Sequence, residues 1–462
     1  MQYFKPEGDY FVGDCMPFYH AGVFRLFYLI DEGHHQALGG LGGHQWAQAS
    51  TVDLKTWVHH PLAISITEER EASICTGSVL HHEGTYYGFY ATRMRDRSEH
   101  LSLAVSEDGV HFRKTLPNPF SSPQTGYRPS AWRDPVAFRD PDTGRFHLLV
   151  TAETESFAIK SRGGVLAHLE SSDLKDWTLT EPFLLPGLSG APECPDYFYW
   201  KGWYYLVFSN QGVARYRLSR HPLGPWVRPK VDTLDAPALR VMKTAAINGD
   251  RRIGVAWLSW RKEDRDDGAF QFGGNAVFRE FLQNPDGSLR VTFLPELIPP
   301  TGNPMSGLTL EGLTPGVTVK GTSVTVEEWQ GLGVAACSGL PYNARITVRV
   351  TPKPNSAGFG LRLCTRPVKD TAVPAQFEPG YELAFSPFES TVRLRDQLIT
   401  GVEGLDRPFM LDITLKDTII DVAIDNRRTL IDRCPERNGD TVLFFAQNAS
   451  VTFEAITARP LQ

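Results

Sequence analysis

The chain has 462 residues, of which 41% are hydrophobic and 22% charged, and it carries a formal net charge of −6. The length predicts a large domain and a smaller one, and the many aromatic residues exclude a disordered chain. The acidic balance argues against nucleic-acid binding, and no apolar run reaches the roughly 18 to 20 residues of a membrane span.

Residues 1–10 lack the charged segment followed by an apolar one that marks a secreted protein, so a cytoplasmic location is predicted. The six cysteines contain no CxxC pair, which favours reduced thiols. Two adjacent pairs, His34 with His35 and His59 with His60, are interpreted as surface histidines, because neighbouring side chains point in different directions and no carboxylate recurs at metal-ligand spacing. Neither a metal site nor a cofactor is predicted.

A repeat of about 60 residues runs through the first part of the chain. Each copy has a glycine turn followed by an aromatic-rich strand, and the turn glycines are Gly22, Gly84, Gly144, Gly202 and, in a weaker copy, Gly249. A polar turn that ends in an aromatic residue alternates with it, at residues 53–57, 108–112, 173–177 and 222–226, with a degenerate copy at 286–289. Two hairpins per repeat predict a four-stranded sheet, and the succession of sheets predicts a five-bladed β-propeller over residues 1–298.

The periodicity ends in a proline-rich stretch at residues 294–304, where a linker is predicted over residues 299–306. Short alternating runs follow, among them residues 344–350 and 409–415. They predict a β-sandwich over residues 307–462. The chain is therefore predicted to be all-β, a five-bladed β-propeller followed by a C-terminal β-sandwich.

Three acidic residues share nearly one position in their repeats. Asp14, Asp134 and Glu193 precede their turn glycines by 8, 10 and 9 residues. Matching positions on the innermost strands of a propeller approach its axis, so these carboxylates are predicted to meet at one end of the central channel. The segments 76–78 and 242–244 occupy the same phase in the other two repeats and would place hydroxyl groups beside them.

Paired carboxylates are what glycoside cleavage needs, one ionised and the other protonated. Arg133 is predicted to lower the pKa of its neighbour Asp134, whereas Glu193 has no cation beside it in the sequence, so Glu193 is predicted to be the acid. Clustered carboxylates also suit Ca²⁺ or Mg²⁺, and a structural ion in the channel is the alternative interpretation.

These residues resemble the motifs of glycoside hydrolase family 32, the β-fructofuranosidases, and the resemblance covers most of the chain. Arg133-Asp134-Pro135 resembles the family's Arg-Asp-Pro motif, and Glu193-Cys194 its Glu-Cys motif. Residues 46–57, which begin with Trp46, are similar to its tryptophan segment, and Thr76-Gly77-Ser78 to its Ser-Gly-Ser element.

The resemblance implies a retaining glycosidase that cleaves terminal β-fructofuranosyl or related furanosyl residues from small oligosaccharides. It implies Asp14 as the nucleophile, Glu193 as the general acid/base, and Asp134 with Arg133 as the pair that holds sugar hydroxyls. Further substrate-binding residues are expected to be Trp46, Thr76 and Ser78. Among aromatic residues that could stack on a sugar, Trp46 is expected to matter more than Trp260 and Tyr127.

The sequence departs from the family around the nucleophile. The family's Asn-Asp-Pro-Asn-Gly is here Gly13-Asp14-Cys15-Met16-Pro17, a family glutamine is Leu29, and a family tryptophan is Leu41. These positions ordinarily line the subsite of the fructosyl ring, so an altered furanoside or an unusual linkage is predicted.

Three alternatives remain open from the sequence. The same covalent intermediate would serve a fructosyl transferase or an enzyme that forms a difructose anhydride. A propeller that has lost catalysis would be a carbohydrate-binding protein. The third alternative is an inverting mechanism, in which the two carboxyl groups lie further apart than in a retaining enzyme.

Overall fold

In the computed structural model, which describes residues 1–368 and 376–462, β-strands make up nearly all of the regular structure. The described helices are one α-helical segment, Ala37–Gly40, and two 3₁₀ segments, Lys262–Asp264 and Pro295–Leu297. The predicted all-β class is confirmed. Among the described residues no helix has the length and apolar character to cross a membrane.

The first part of the chain forms five successive antiparallel meanders, of which the first and the last join in one eight-stranded sheet. The first two contain β1 (Tyr10–His20), β2 (Val23–Glu32), β3 (Gln45–Thr51), β4 (Val58–Ile64), β5 (Glu71–His82), β6 (Thr85–Met94), β7 (Glu99–Ser106) and β8 (Arg113–Lys114). The third contains β9 (Tyr127–Arg139), β10 (Phe146–Thr154), β11 (Gly164–Ser171), β12 (Thr178–Leu179) and β13 (Leu184–Leu188). The last two contain β14 (Glu193–Trp200), β15 (Trp203–Asn210), β16 (Val213–Ser219), β17 (Leu239–Ile247), β18 (Arg251–Arg261), β19 (Phe270–Gln283) and β20 (Leu289–Thr292).

The two turn motifs of the sequence close the hairpins of these meanders. Gly22 and Gly84 have φ values of +81° and +80°, a region that glycine enters without strain, and they turn the first strand into the second. In the polar turn, Asp53 Oδ1 accepts hydrogen bonds from the backbone N–H groups of Lys55 and Thr56 at 2.8 and 2.7 Å. The repeat read from the sequence is therefore a repeat of real hairpins.

The first strands of the meanders contact one another in a closed ring, β1 to β5, β5 to β9, β9 to β14, β14 to β17 and β17 to β1. The ring encloses a channel whose two ends open into separate pockets, each lined by residues of all five strands. Apolar clusters pack neighbouring meanders against each other. The predicted blade count stays a prediction.

Each first strand carries a register shift in its pairing with the second. The shifts fall between Val12 and Cys15, Ile74 and Gly77, Arg133 and Val136, Glu193 and Asp196, and Arg240 and Lys243. A β-bulge bends a strand and re-aims its side chains. Three of the bulged residues, Asp134, Cys194 and Val241, have φ values of 50° to 52°, which is strained for residues with a side chain. Five bulges in phase thus redirect side chains towards one end of the channel.

The C-terminal part forms two layers that share two long strands. Its strands are β21 (Thr309–Gly312), β22 (Val317–Lys320), β23 (Ser323–Ser338), β24 (Ala344–Pro352), β25 (Gly358–Thr365), β26 (Tyr381–Ser386), β27 (Thr391–Leu394), β28 (Gln397–Thr400), β29 (Phe409–Lys416), β30 (Ile419–Ile424), β31 (Arg428–Arg433) and β32 (Thr441–Pro460). The first half of β32 pairs with β25 and its second half with β24, so it passes from one layer to the other. Buried aliphatic and aromatic residues fill the space between the layers.

Buried ion pairs join the two parts. Arg279 on β19, which is 0% exposed, contacts Asp421 on β30 at 2.8 Å and Asp235 at 3.2 Å. Arg261 on β18 contacts Asp432 on β31 at 2.8 Å. The predicted boundaries at residues 298 and 307 fall between β20 and β21 and stay predictions.

Candidate active site

A pocket of about 300 Å³ opens at the end of the channel towards which the bulges point. Its lining includes Asp14, Thr76, Arg133, Asp134 and Glu193, each from the first strand of a meander. The structure therefore brings five of the seven predicted site residues together. The three acids meet as the phase of the repeat predicts.

Asp14 lies at the base of this pocket and is 7% exposed. Thr76 Oγ1 donates a hydrogen bond to its Oδ2 at 2.5 Å, and Trp257 Nε1 donates to its Oδ1 at 2.9 Å. Cys194 Sγ lies 3.4 Å from Oδ2. Burial raises the pKa of Asp14, and the charge of Asp134 adds to the rise, while these hydrogen bonds oppose it. Three donors on one buried carboxylate fix its orientation.

Glu193 begins β14 and has a side chain that is 42% exposed. Its Oε1 lies 2.9 Å from Arg133 Nη2, so β9 supplies a cation that the sequence neighbours of Glu193 do not. Burial raises the pKa of Glu193, and Asp134 and Asp14 raise it further, whereas Arg133 lowers it. The net rise keeps Glu193 protonated to a higher pH than an ordinary glutamate.

Arg133 links the acids of the pocket. Its Nε lies 3.6 Å from Asp134 Oδ2, and its Nη1 lies 3.2 Å from Oε2 of the buried Glu99. Glu99 is in turn held by Arg93 at 2.9 Å. Asp134 Oδ2 also accepts a hydrogen bond from the backbone N–H of Cys194 at 3.0 Å, which ties β9 to β14.

Two of the predicted substrate-binding residues lie outside the pocket. Trp46 is 0% exposed, donates Nε1–H to the Cys75 carbonyl at 2.8 Å and packs against Phe27, so it cannot stack on a sugar. Its position on β3, the third strand of its meander, places it in the interior. Ser78 lies further along β5, lines the pocket at the other end of the channel, and accepts a hydrogen bond from the Ala137 N–H at 3.0 Å.

The aromatic residues that line the pocket are Trp257, Phe270 and Phe272, none of which the sequence predicts as a site residue. Trp260 instead packs against Arg433 at 4.0 Å, and Tyr127 against Trp132. Trp257 lies in the weakest of the repeat copies. Its alignment with the better copies was the only signal in the sequence that could have pointed to it.

Phe272 fills the space that the family's asparagine side chain needs. A Cβ atom on Gly13 would lie 2.8 Å from Phe272 Cε1 and 3.2 Å from Leu29 Cβ. Leu29, where the family has glutamine, also lines the pocket. Leu29 and Phe272 therefore form an apolar wall beside Gly13, whereas the altered residues Met16 and Pro17 line the pocket at the other end of the channel.

Histidines extend this wall. The ring of Phe272 stacks on His44 with centroids 4.9 Å apart, and His35 adjoins both. His35 is half-buried and lines the pocket, so the surface interpretation does not hold for it; His59 is exposed as expected. Burial, then His44 and Arg93, lowers the pKa of His35 to about 4, which keeps it neutral at physiological pH.

Two groups among the described residues could hold a metal ion by their side-chain types. One is Asp31, His35 and His44 at the pocket wall, and the other is His147, His168 and Glu170 on β10 and β11. A larger groove of about 840 Å³ lies on the C-terminal layers, lined in part by Phe359, Phe385 and Phe445. We place the active site in the smaller pocket because the five bulges converge there.

Comparisons with known proteins show which family and which solved structures the chain is similar to. The model of the glycosyl hydrolases family 32 N-terminal domain matches residues 4–267. Sucrose-6-phosphate hydrolase of Escherichia coli is 29% identical over 191 residues, which are 39% of this chain and 38% of that protein. Raffinose invertase of Escherichia coli is 28% identical over 211 residues, which are 42% of this chain and 40% of that protein. The matched segments thus span about two fifths of the length of these relatives.

Solved structures are similar over the whole chain. Fructan 1-exohydrolase IIa from Cichorium intybus has a TM-score of 0.72 at 16% identity, covering 100% of this chain and 96% of that one. Exo-inulinase from Aspergillus awamori has a TM-score of 0.72 at 13% identity, covering 100% of this chain and 98% of that one. At identities this low, the structural similarity shows a shared fold, which includes the C-terminal layers.

Proposed function

Because the chain belongs to family 32 of the glycosyl hydrolases, we propose that it is a glycosidase that cleaves terminal β-fructofuranosyl or related furanosyl residues from small oligosaccharides. The convergence of Asp14, Asp134 and Glu193 in one pocket carries the proposal. The names of the curated relatives, sucrose-6-phosphate hydrolase and raffinose invertase, support the substrate class.

In the first chemical step, a carboxylate oxygen of Asp14 attacks the anomeric carbon of the furanosyl ring. The bond to the leaving oxygen breaks as Glu193 gives that oxygen its proton. Thr76 and Trp257 orient the Asp14 carboxylate for attack, because each holds one of its two oxygens. The raised pKa of Glu193 suits a group that must begin the step protonated.

In the second step, water attacks the same anomeric carbon and releases Asp14. Glu193, now ionised, takes a proton from that water and returns to its starting state, so the two steps balance with water as the only co-substrate. Arg133 and Asp134 are proposed to hold sugar hydroxyls. Both belong to the charged network that continues through Glu99, which keeps them fixed beside Glu193.

The substrate is proposed to differ from that of a typical family member at the ring nearest Asp14. Leu29 and Phe272 cannot make the hydrogen bonds that a glutamine and an asparagine make, and a site that reads hydroxyls loses about 1 to 3 kcal/mol for each group left unpaired. We therefore expect a furanosyl residue, or a linkage, that presents an apolar edge or a different hydroxyl pattern to this wall.

The same proposal counts the five meanders as the five blades of a propeller, with the boundaries at residues 298 and 307. The closed ring of first strands supports the count, because every first strand contacts two others and no end is left open.

The function is tested with a panel of furanosyl oligosaccharides, phosphorylated disaccharides and difructose anhydrides, with sugar products separated by chromatography. We expect release of a free monosaccharide from at least one member by the natural protein and none by Asp14→Asn. A transferred or cyclic product would indicate transglycosylation. If the natural protein cleaves no member but binds a sugar as well as Asp14→Asn does, a carbohydrate-binding protein would be favoured.

A further inference from the structure

The connection between β2 and β3 brings three metal-ligating side chains to one point at the pocket wall. Asp31 lies near the end of β2, His35 in the turn that follows and His44 just before β3. Asp31 Oδ1 lies 2.9 Å from His44 Nε2, and His35 Nδ1 lies 3.2 Å from the same nitrogen. Asp31 is 0% and His44 2% exposed. Both histidines line the pocket that holds Asp14 and Glu193.

Asp31 Oδ1 accepts the backbone N–H of His35 at 2.8 Å, but the ring hydrogens available do not satisfy the remaining contacts of this cluster. His44 Nε2 carries at most one hydrogen, yet both Asp31 Oδ1 and His35 Nδ1 approach it. If Nε2 carries a hydrogen and donates it to Asp31, it cannot accept a hydrogen bond from His35. If Nε2 instead accepts from His35, it has no hydrogen for the Asp31 carboxylate 2.9 Å away. The other carboxylate oxygen, Asp31 Oδ2, is buried and has no hydrogen-bond partner among the described residues. Such a buried group costs free energy unless something else neutralises it.

A divalent cation resolves the conflict. Zinc binds imidazole nitrogens and carboxylate oxygens at about 2.0 to 2.2 Å, which puts neighbouring ligand atoms about 3 to 3.5 Å apart. The separations of 2.9 and 3.2 Å fall at or close to that range, and all three ligand atoms lie within 4.8 Å of one another. One carboxylate and two neutral imidazoles form a donor set that suits zinc and related transition metals.

We propose that Asp31, His35 and His44 bind a divalent metal ion, zinc by preference, at the wall of the active-site pocket. Three protein ligands leave at least one coordination position open. Because both imidazoles line the pocket, that position is available to a hydroxyl of the bound sugar. The ion would thus supply a polar contact in a wall where Leu29 and Phe272 supply none. This role in substrate binding rests on the proposed function; the metal site itself does not.

Arg93 is the cation nearest to this site, with Nη1 3.3 Å from His35 Nε2. When Nδ1 binds a metal, Nε2 keeps its hydrogen and no longer accepts from Arg93. Arg93 has a second partner in Glu99. Its Nε and Nη2 donate hydrogen bonds to Glu99 Oε1 at 3.1 and 2.9 Å. We expect metal binding to leave Arg93 paired with Glu99 and with the Leu41 carbonyl, to which its Nη1 donates at 3.2 Å.

The other histidine group lacks the conflict at a single nitrogen, although His147 Nε2 is buried and has no hydrogen-bond partner among the described residues. His147 Nδ1 lies 2.8 Å from His168 Nε2, and the second ring nitrogen of His168 contacts Thr180 Oγ1 at 2.9 Å, so each contact has its own hydrogen. Glu170 lies 3.9 Å from His147 and pairs with Arg145 instead. We expect no metal there.

The site is tested on the purified full chain, stripped with a chelator, incubated with ZnCl₂, desalted and measured by mass spectrometry of the metal. We expect about one zinc per chain, and less than about a tenth of that in His35→Ala and His44→Ala. His59→Ala, which removes an exposed histidine on β4, is the matched control and keeps the full amount. Zinc below about 0.1 equivalent in the natural protein, or as much zinc in both site variants as in the natural protein, overturns the proposal.

Thermal unfolding guards against a variant that merely fails to fold. Zinc should raise the melting temperature of the stripped natural protein and of His59→Ala by several degrees, and leave the folded His35→Ala variant unchanged. An equal rise in His35→Ala overturns the site.

Kinetics test the contact with substrate separately. On any furanoside that the enzyme cleaves, stripping the metal should raise KM at least tenfold with little change in kcat, and zinc should restore it. An unchanged KM overturns the role in substrate binding and leaves the metal site standing. If no furanoside is cleaved, the proposed function fails, while metal content still decides the site.

Discussion

Arg133 Nη2 lies 2.9 Å from Glu193 Oε1, although the two residues are 60 positions apart in the chain. The contact exists because β9 and β14 are adjacent in the ring and both are bulged at this level. Arg133 therefore restrains the rise in the pKa of Glu193 while it also holds Glu99. The same guanidinium both orients the Glu193 carboxyl group and limits the rise of its pKa.

Replacing Arg133 with glutamine should move the basic limb of the kcat/KM profile to higher pH. The cation stabilises ionised Glu193, so its loss raises the pKa further, and the acid stays protonated over a wider range. We expect a shift of up to about one pH unit, together with a fall in kcat/KM of at least about tenfold. The measurement is a pH series of initial rates.

Arg265→Gln is the control for this change, because Arg265 forms an exposed pair with Asp267 away from the pocket. It should leave the profile unmoved. A basic limb that stays in place, or moves to lower pH, in Arg133→Gln would show that another group sets it.

Thr76→Val should move the acidic limb of the profile to higher pH. The hydroxyl donates to Asp14 Oδ2 and so favours the ionised nucleophile, and its loss raises the pKa of Asp14. Activity at low pH should fall by about tenfold or more. Thr76→Ser keeps the hydroxyl and should keep the limb near its original position; equal shifts in both variants would assign the effect to packing.

Gly13→Ala should destabilise the protein, because the added Cβ meets the ring of Phe272 at 2.8 Å. Overpacking of this kind costs about 1 to 3 kcal/mol in free energy of unfolding. Adding Phe272→Ala to Gly13→Ala should recover part of that cost relative to the sum of the single changes, as urea unfolding of the four proteins will measure. Simple additivity would show that Phe272 does not fill the missing side chain's space.

How far the sequence predicts the site depends on which strand a residue occupies. Asp14, Asp134 and Glu193 lie on first strands, so the repeat phase alone brings them together. The expectation that Trp46 contacts the sugar fails, because a motif match does not reveal that this side chain on β3 is fully buried.

The missed residues lie outside that rule. His35 and His44 come from the β2–β3 connection, and Phe272 from β19, so their approach to Asp14 depends on how separate elements pack. No local pattern encodes that packing. The all-β class and the paired turns, by contrast, depend on short local patterns, so the sequence predicts them directly.

Arg279→Met should destabilise the contact between the two parts of the chain. The change leaves Asp235 and Asp421 buried without their cation, and breaking a buried ion pair costs about 3 to 5 kcal/mol. Urea unfolding should show the loss, whereas Arg265→Ala, at an exposed pair, should change the free energy of unfolding by less than about 1 kcal/mol. A loss in Arg279→Met no larger than that of the control would show that the pair is dispensable.

The nucleophile is tested most directly by trapping its covalent intermediate. The variant Glu193→Gln is incubated with the furanosyl fluoride of the best substrate, whose leaving group needs no acid, while the missing base slows release by water. Peptide mass spectrometry at low pH should find one furanosyl residue on the peptide that contains Asp14, and none when Asp14→Asn is added. An adduct on another residue, or release of the sugar with inverted configuration and no adduct, would contradict Asp14 as the nucleophile of a retaining enzyme.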